Sequence, residues 1–190
     1  MDTQKSEIQA AMIFNPEQGA LYFKDVRYLF IRPETIASLQ KSLEAEIGPV
    51  RAGEILFAGG FTGGQLSGKK YKQLYGLNDH DAITFMCRMG KEIGWGYFQL
   101  ISLNSQDKHL IVQVKHSPFA EAYQTITHVK QSQTNLEPSH NTGVCHLIRG
   151  VLGGLGAGIF NQTIQATETH CLALGDPHCQ FEIKGLMMPK

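Results

Sequence analysis

An apolar segment rich in glycine, residues 142–160, constrains the fold of this 190-residue chain most strongly. Its large apolar side chains recur with helical spacing on one face: Val144, Leu147, Ile148, Val151, Leu152, Leu155 and Ile159. Each glycine costs a helix about 1 kcal/mol relative to alanine, yet the same segment contains Gly150, Gly153, Gly154, Gly156 and Gly158. This combination predicts a buried helix that another backbone, a ligand or a sheet approaches closely.

A second glycine row lies in a predicted helix of residues 51–75, where Gly60, Gly64 and Gly68 are spaced four apart. Residues four apart share one face of a helix, so the row predicts a close helix–helix contact, inside the chain or across a dimer interface. The overlapping segment 63–70 matches the phosphate-loop pattern G-x-x-x-x-G-K. We reject nucleotide binding there, because Lys70 stands where that loop needs a serine or threonine for Mg²⁺ and no apolar strand precedes it.

The remaining elements predict a single α+β domain in which helices pack on an antiparallel sheet. One helix begins at Pro33 and stops at Gly48, and another is capped by Asp79 or Asp81 and ends near Gly90. Short apolar or alternating runs predict strands at 21–23, 28–31, 97–103, 110–114, 163–172 and 179–183. The polar, irregular stretch 125–141 predicts a loop.

Composition excludes several classes of protein. The 17 Lys and Arg residues balance 17 Asp and Glu, so the chain lacks the positive excess of a general nucleic-acid binder. A hydrophobic fraction of 42% excludes disorder. No apolar run approaches the ~20 residues of a membrane span, and the first residues lack the apolar core of a signal peptide. We therefore expect a cytoplasmic protein with reduced thiols.

Three of the four cysteines fall in the last quarter of the chain, and together with one carboxylate they form the strongest chemical signal. Thiolates and carboxylates both bind Zn²⁺, and four such ligands fill its tetrahedral shell. We therefore predict a zinc site with the ligands Cys145, Glu168, Cys171 and Cys179. Glu168 and Cys171 are three residues apart, so a bulge must bring them to one side of a strand.

Two alternatives to this ligand set stay open. Buried free cysteines behave as small hydrophobic residues, so the three thiols could belong to the core, which is the role we predict for Cys87. The histidines nearest to the cysteines in sequence are His146, His170 and His178, and one of them could replace Glu168.

Aromatic side chains gather in sequence around the two middle strands and predict an apolar pocket. From their chemistry and position we predict that a ligand contacts Trp95, His116, Phe119 and Arg149. Trp95 is the only tryptophan of the chain and lies between two glycines. The alternative is that these aromatic residues are ordinary members of the core.

Residues 116–120, 145–150 and 168–181 resemble the 4-vinyl-reductase-type (vinyl-4 reductase) domain family. The resemblance extends to the sensor domains of aromatic-responsive sigma-54 activators and, more distantly, to the TRAPP vesicle-tethering subunits. It covers residues 27–185, which leaves residues 1–26 as an N-terminal segment with the first strand. It implies a TRAPP-like or NO-signalling-like ligand-binding fold, usually dimeric, with a buried pocket. It also implies zinc, because the ligand pattern of the aromatic sensors falls on the four residues predicted above.

We predict a zinc-containing binding or sensor domain for a small hydrophobic or aromatic ligand. Zinc would clamp the Cys145 helix to the final hairpin and so form one wall of the pocket. Because the 190 residues show no output domain, we expect a homodimer that acts through a protein partner.

Two other functions are weighed against this one. The family name implies a reductase of a tetrapyrrole 4-vinyl group, or its accessory subunit, which would need an external reductant. The tethering proteins imply a structural assembly subunit. A zinc ion with four protein ligands leaves no open position for a substrate, which favours binding over catalysis.

Overall fold

The computed structural model of the protein describes residues 6–131 and 143–186, and of residues 128–131 it describes the backbone alone. The α-helices of these ranges are α1 Glu7–Ala10, α2 Pro33–Ile47, α3 Pro49–Leu74, α4 Asp79–Glu92, α5 Pro118–Gln131 and α6 His146–Phe160. The strands are β1 Met12–Asn15, β2 Ala20–Phe23, β3 Val26–Tyr28, β4 Tyr97–Asn104, β5 His109–Lys115, β6 Ile164–His170 and β7 Cys179–Gly185. A single 3₁₀ turn, Leu172–Leu174, lies between the last two strands.

The strands form two antiparallel sheets, one of order β1-β2-β3 and one of order β4-β5-β7-β6. The inner face of the four-stranded sheet supplies fully buried side chains, among them Val112, Val114, Phe181 and Ile183. Helix α6 lies between this sheet and α3, so it is the central helix of the core. The predicted α+β architecture, with helices packed on an antiparallel sheet, is confirmed.

Helices α3 and α6 run parallel in backbone-to-backbone contact. A Cβ atom added at Gly60 or Gly64 would collide with the carbonyl oxygen of Leu147 or Val151, respectively. The opposing row on α6 meets carbonyl oxygens of α3 in the same way, at Gly150, Gly154 and Gly158. The predicted close contact is thus confirmed, but it forms within one chain, so the dimer interface suggested for the α3 row is wrong.

The other glycines of α6 face the sheet. A Cβ atom at Gly153 would lie 3.1 Å from the Cβ atom of Ala166, and one at Gly156 would lie 2.8 Å from the Cγ2 atom of Ile183. Approach by a backbone and approach by a sheet, two of the three possibilities drawn from the sequence, therefore both occur, on different faces of one helix.

The helix boundaries follow the predicted stop signals, with one correction at α4. Pro33 occupies the first turn of α2, and Gly48 ends it. Helix α4 is capped by Asn78 rather than by Asp79 or Asp81, because the Asn78 side-chain oxygen accepts a hydrogen bond from the amide of Asp81 at 2.9 Å. The phosphate-loop lookalike, residues 63–70, lies inside the continuous helix α3 and is not a loop.

Two sequence predictions were wrong. Residues 29–31 are not a strand, because β3 ends at Tyr28 and the side chains of Leu29 and Phe30 are exposed. Residues 125–131 are not a loop but the second half of α5, which Ser117 begins by accepting a hydrogen bond from the amide of Ala120. The rest of the predicted loop lies outside the described residues.

The N-terminal strands pack on α3 and α4 through a second, smaller core of Ile8, Phe23, Tyr71 and Met89. The domain boundary between residues 26 and 27 stays a prediction. Among residues 6–131 and 143–186, no helix has the length and apolar character needed to cross a bilayer.

Candidate metal centre and ligand cavity

Four side chains that could hold a metal ion meet where α6 begins and the last hairpin closes. Cys145 is the residue immediately before α6, Glu168 lies on β6, Cys171 follows β6, and Cys179 begins β7. Their ligand atoms all lie within 4.8 Å of one another. The structure therefore brings together all four residues that the sequence predicted as metal ligands.

The sulfur atoms are spaced as a tetrahedral zinc site requires. The Cys145 Sγ atom lies 3.9 Å from Cys171 Sγ and 3.6 Å from Cys179 Sγ. A Zn–S bond of 2.3 Å and a tetrahedral angle give sulfur atoms ~3.8 Å apart. These separations are much longer than a disulfide bond, and all three cysteines are free and buried.

The hairpin reaches this geometry through an irregular stretch of β6. The pairing of β6 with β7 shifts between Glu168 and His170, which is the bulge that the spacing of the ligands requires. Beyond it, the Asp176 carboxylate accepts a hydrogen bond from the amide of Cys171 at 2.7 Å, and Gly175 adopts a left-handed φ of 103°. The turn is thus fixed by its own polar groups, and it returns Cys179 to the cluster.

The Glu168 carboxylate is held by one oxygen and has no partner at the other. Its Oε2 atom accepts a hydrogen bond from the amide of Cys145 at 2.9 Å, whereas Oε1 is buried with no hydrogen-bond partner. A Cβ atom at residue 143 would collide with this carboxylate, so Gly143 gives it room. Burial, followed by the nearby Cys171, raises the pKa of Glu168 to about 8. The buried, unpartnered oxygen fits the position of a metal ligand.

The three thiols share negative charge unequally. Hydrogen bonds from Cys145 and Cys171 hold the pKa of Cys179 well below the usual thiol value, whereas hydrogen bonds to Cys171 and Cys179 raise the pKa of Cys145 well above it. The amide of Leu172 also donates to the Cys179 sulfur at 3.4 Å. Thiolate is the form of cysteine that binds metal, so the cluster is predisposed to accept a soft or borderline cation.

The neighbouring histidines lie outside this group of four. The rings of His170 and His178 pair with each other, with centroids 5.6 Å apart, and the Nε2 atom of His178 lies 2.8 Å from the side-chain amide of Gln113. The ring of His146 packs over Gly53, whose added Cβ atom would lie 2.9 Å from it. Glu168, rather than a histidine, is therefore the fourth side chain that the fold gathers.

An apolar cavity of about 290 Å³ lies on the other side of α6, and it is bounded by α3, α4, α6 and the four-stranded sheet. None of its lining residues in the described chain is charged. Their polar side-chain groups are the hydroxyls of Tyr28 and Ser67, the thiol of Cys87 and the indole of Trp95. The Tyr28 hydroxyl is already engaged, because it lies 2.6 Å from that of Tyr71. The cavity thus offers a mainly hydrocarbon surface.

The four predicted ligand contacts are not brought together. Trp95 lines the cavity, and Phe119 packs edge-on against Trp95 with ring centroids 5.2 Å apart. His116 is exposed, with a left-handed φ of 52°, in the turn that leads from β5 to α5. Arg149 lies on a different face of α6 from the cavity residues Leu147 and Val151, since residues two apart on a helix do not share a face.

Sequence reasoning missed a second row of small residues along the cavity wall. Gly59, Gly63 and Ser67 line the cavity and are spaced four apart, next to the row that contacts α6. A Cβ atom at Gly59 or Gly63 would meet nothing within 4 Å. The spacing was visible in the sequence, but it does not show which row faces a backbone and which faces a space. Cys87, predicted as a core residue, is buried and also lines the cavity, and burial raises its pKa to about 12.

A second, polar cavity of about 580 Å³ adjoins the cysteine cluster. Its walls include Glu168 and Cys171, and also Arg149, whose guanidinium lies 4.9 Å from the centre of the Phe57 ring. Burial lowers the pKa of Arg149, and the charge of Glu168 opposes that shift. Arg149 therefore lies in the electric field of the cluster rather than in the apolar cavity.

Comparison with known families matches two separate parts of the chain. Residues 133–185 match the vinyl-4-reductase domain, and residues 7–85 match the family described as activator of aromatic catabolism. The predicted family resemblance is confirmed. The first match contains all four residues of the cluster, whereas the apolar cavity draws its lining from both matched segments.

Relatives of this chain include a sensor protein of known inducer. The chain is 23% identical over 185 residues to the phenol regulator MopR of Acinetobacter guillouiae, in a match that covers 94% of this chain and 31% of that regulator. The chain therefore spans about a third of the regulator that it matches.

Two solved structures share the fold. The phenol-responsive sensory domain of the transcription activator PoxR, solved with phenol, superposes with a TM-score of 0.78 at 17% identity, covering 94% of this chain and 86% of that chain. A trafficking protein particle complex subunit 3 from Naegleria fowleri, covalently bound to palmitic acid, has a TM-score of 0.53 at 11% identity and coverages of 83% and 97%. At these identities the likeness concerns the fold, and it confirms the TRAPP-like architecture.

Proposed function

We propose that this protein is a sensor domain that binds a small, uncharged aromatic molecule in the apolar cavity. The observation that carries the proposal is the cavity itself, which is enclosed by α3, α4, α6 and the sheet and has no charged lining residue. The similarity to the phenol regulator and to the phenol-responsive sensory domain supports an aromatic ligand.

The size and polarity of the cavity narrow the ligand class. Its volume of about 290 Å³ is roughly twice the ~150 Å³ of an apolar cavity that accommodates benzene. A substituted single ring or a fused pair of rings fits that space. A charged ligand is disfavoured, because no lining side chain would compensate the loss of hydration. Ser67 and Trp95 provide the hydroxyl and the indole N–H for orienting one polar substituent.

We further propose that Zn²⁺ binds Cys145, Glu168, Cys171 and Cys179. The sulfur separations and the unpartnered Oε1 atom of Glu168 support it. When bound, the ion would supply a structural cross-link between the start of α6 and the last hairpin. Since α6 also contributes Leu147, Val151 and Leu155 to the apolar cavity, this cross-link would fix one wall of the ligand site.

The zinc proposal is tested by changing one ligand and one control cysteine to serine. Cys171→Ser should lower the bound zinc and the melting temperature together, because it removes a ligand from the cross-link. Cys87→Ser removes a buried thiol outside the cluster and should leave the zinc content unchanged. A metal-free wild-type protein that is fully folded and takes up no added zinc would contradict the proposal.

The ligand proposal is tested with the fluorescence of Trp95, which is the only tryptophan and lines the cavity. Titration with phenol, toluene and naphthalene should change this signal saturably for at least one of them. Gly63→Leu places a side chain in the open space of the cavity and should weaken binding at least ~10-fold, a loss of about 1.4 kcal/mol. Thr62→Leu adds similar bulk on the exposed flank of α3 and should bind like the wild type.

Equal affinity in Gly63→Leu and in the wild type would place the aromatic ligand elsewhere. Native mass spectrometry of the purified protein separates the other functions. A copurified tetrapyrrole would favour the vinyl reductase or its subunit, and a protein that binds no small molecule would favour an assembly subunit.

The remaining parts of the proposal concern the assembly and its setting. We propose a homodimer that acts through a protein partner, in which ligand binding shifts an equilibrium between two states by binding one of them more tightly. A site of three thiolates needs reduced cysteines, which supports the proposed cytoplasmic location. Sedimentation with and without the aromatic ligand measures the dimer and any ligand-dependent change in it.

A further inference from the structure

Loading the cluster with a divalent cation leaves a buried excess of negative charge. Three thiolates and one carboxylate carry four negative charges, and Zn²⁺ supplies two positive ones. Cys145, Cys171 and Cys179 are buried, at 5%, 2% and 0% exposure. Buried charge is strongly unfavourable unless an opposite charge lies close to it. This inference rests on the proposed metal site.

The side chain placed to offset this charge is Arg149. The amide of Arg149 donates to the carbonyl oxygen of Cys145 at 2.9 Å, so the two residues are one turn apart on the same face of α6. Arg149 and Glu168 both line the polar cavity, and Arg149 is the one lysine or arginine among the described residues that line it.

The guanidinium is held in position without a carboxylate partner. It lies over the Phe57 ring at 4.9 Å from the ring centre, and its Nε atom is buried with no hydrogen-bond partner. No ion pair of the described residues includes Arg149, whereas cations elsewhere in those residues, such as Lys41 and Lys72, are paired. A half-buried arginine without a counter-ion, beside a cluster that becomes negative when loaded, has an unmet charge that matches the unmet charge of the cluster.

We infer that Arg149 is a positioning residue of the metal centre: it supplies the positive charge that offsets the thiolates and the carboxylate once the ion is bound. This role differs from the ligand contact that the sequence predicted for Arg149. It also gives a reason for an arginine in the first turn of α6, where the helix dipole disfavours a cation.

The test measures the affinity for Zn²⁺ by competition with a chromophoric chelator. Arg149→Gln keeps much of the length of the side chain but removes the charge, and it should weaken zinc binding ~10- to 100-fold, as for other groups that support metal ligands. Arg149→Lys restores the charge and should recover most of the affinity. Arg32→Gln removes an arginine whose side chain is 81% exposed, and it should have no effect.

Unchanged affinity in Arg149→Gln would overturn the inference, and so would equal losses in Arg149→Gln and Arg149→Lys, which would indicate a packing role. These results are distinct from failure of the metal site itself. In that case the wild-type protein would bind no zinc, and Arg149 would have no centre to support.

Discussion

Helix α6 is held in two different ways, along its length by α3 and at its first residue by the cysteine cluster. Along its length the contact is between backbones, with glycines of each helix against carbonyl oxygens of the other. At its start the contact is between four side chains from α6, β6 and β7, whose ligand atoms lie within 4.8 Å of one another.

The first attachment needs only the chain, because its atoms are in contact whatever the solution contains. The second depends on conditions, because thiols and a carboxyl hold together firmly only when they lose protons and share a cation. A sensor whose ligand cavity is walled by α6 can thus keep a permanent helix pair while one end of the helix stays conditional. The predictions below separate the two attachments, from the largest expected effect to the smallest.

Gly64→Ala should cause the largest loss of stability. The new Cβ atom would collide with the carbonyl oxygen of Val151, and neither backbone can move without separating the helix pair. We expect the free energy of unfolding to fall by at least about 3 kcal/mol, the upper end for overpacked sites. Denaturant unfolding measures it, and the loss should be the same with zinc and with a chelator. A loss that zinc abolishes would show that the two attachments are not independent.

Removing the metal from the wild-type protein should have the next largest effect. A ligand that binds only the folded state stabilises it by about 2.7 kcal/mol when its free concentration is 100-fold above its Kd. We therefore expect a chelator to lower the melting temperature and a return of Zn²⁺ to restore it. Cys171→Ser should be insensitive to both. A wild-type melting temperature that ignores zinc would mean that the cluster does not attach α6 conditionally.

The pH dependence of zinc binding should sharpen the same contrast. The raised pKa values of Cys145 and Glu168 mean that both hold protons at neutral pH in the metal-free protein, and a bound ion must displace them. Zinc affinity should therefore rise as the pH is raised towards about 8, with at least two protons released for each ion. Calorimetry in buffers of different ionisation enthalpy counts these protons. Glu168→Gln should release one proton fewer, and an affinity independent of pH would contradict the proposed ligand set.

The cluster could be predicted from the sequence, whereas the cavity could not. Thiols and carboxylates are rare enough that four of them near one helix start and one hairpin indicate a metal by residue type and spacing. A cavity has no such residue type, since the space that it encloses depends on which helix faces meet. Trp95 was found because a lone tryptophan between glycines is conspicuous, but Gly59 and Gly63 look the same in sequence as Gly60 and Gly64.

The errors in the fold have a similar origin. Helix α6 and the two middle strands were predicted because their apolar periods are long and regular. The second half of α5 was taken for a loop because residues 125–131 are mostly polar, although Ile126 packs against the core. Local pattern does not reveal a helix that tertiary contact with a few apolar residues stabilises.

Gly63→Ala should have the smallest effect, and it is the matched control for Gly64→Ala. The two positions are adjacent on α3, yet a Cβ atom at Gly63 meets nothing within 4 Å. Because alanine favours a helix over glycine, the free energy of unfolding should rise by up to about 1 kcal/mol rather than fall. The same denaturant experiment measures both variants. A loss at Gly63 comparable to that at Gly64 would show that this side of α3 is packed rather than open, and the apolar cavity would then be too small for the proposed ligand.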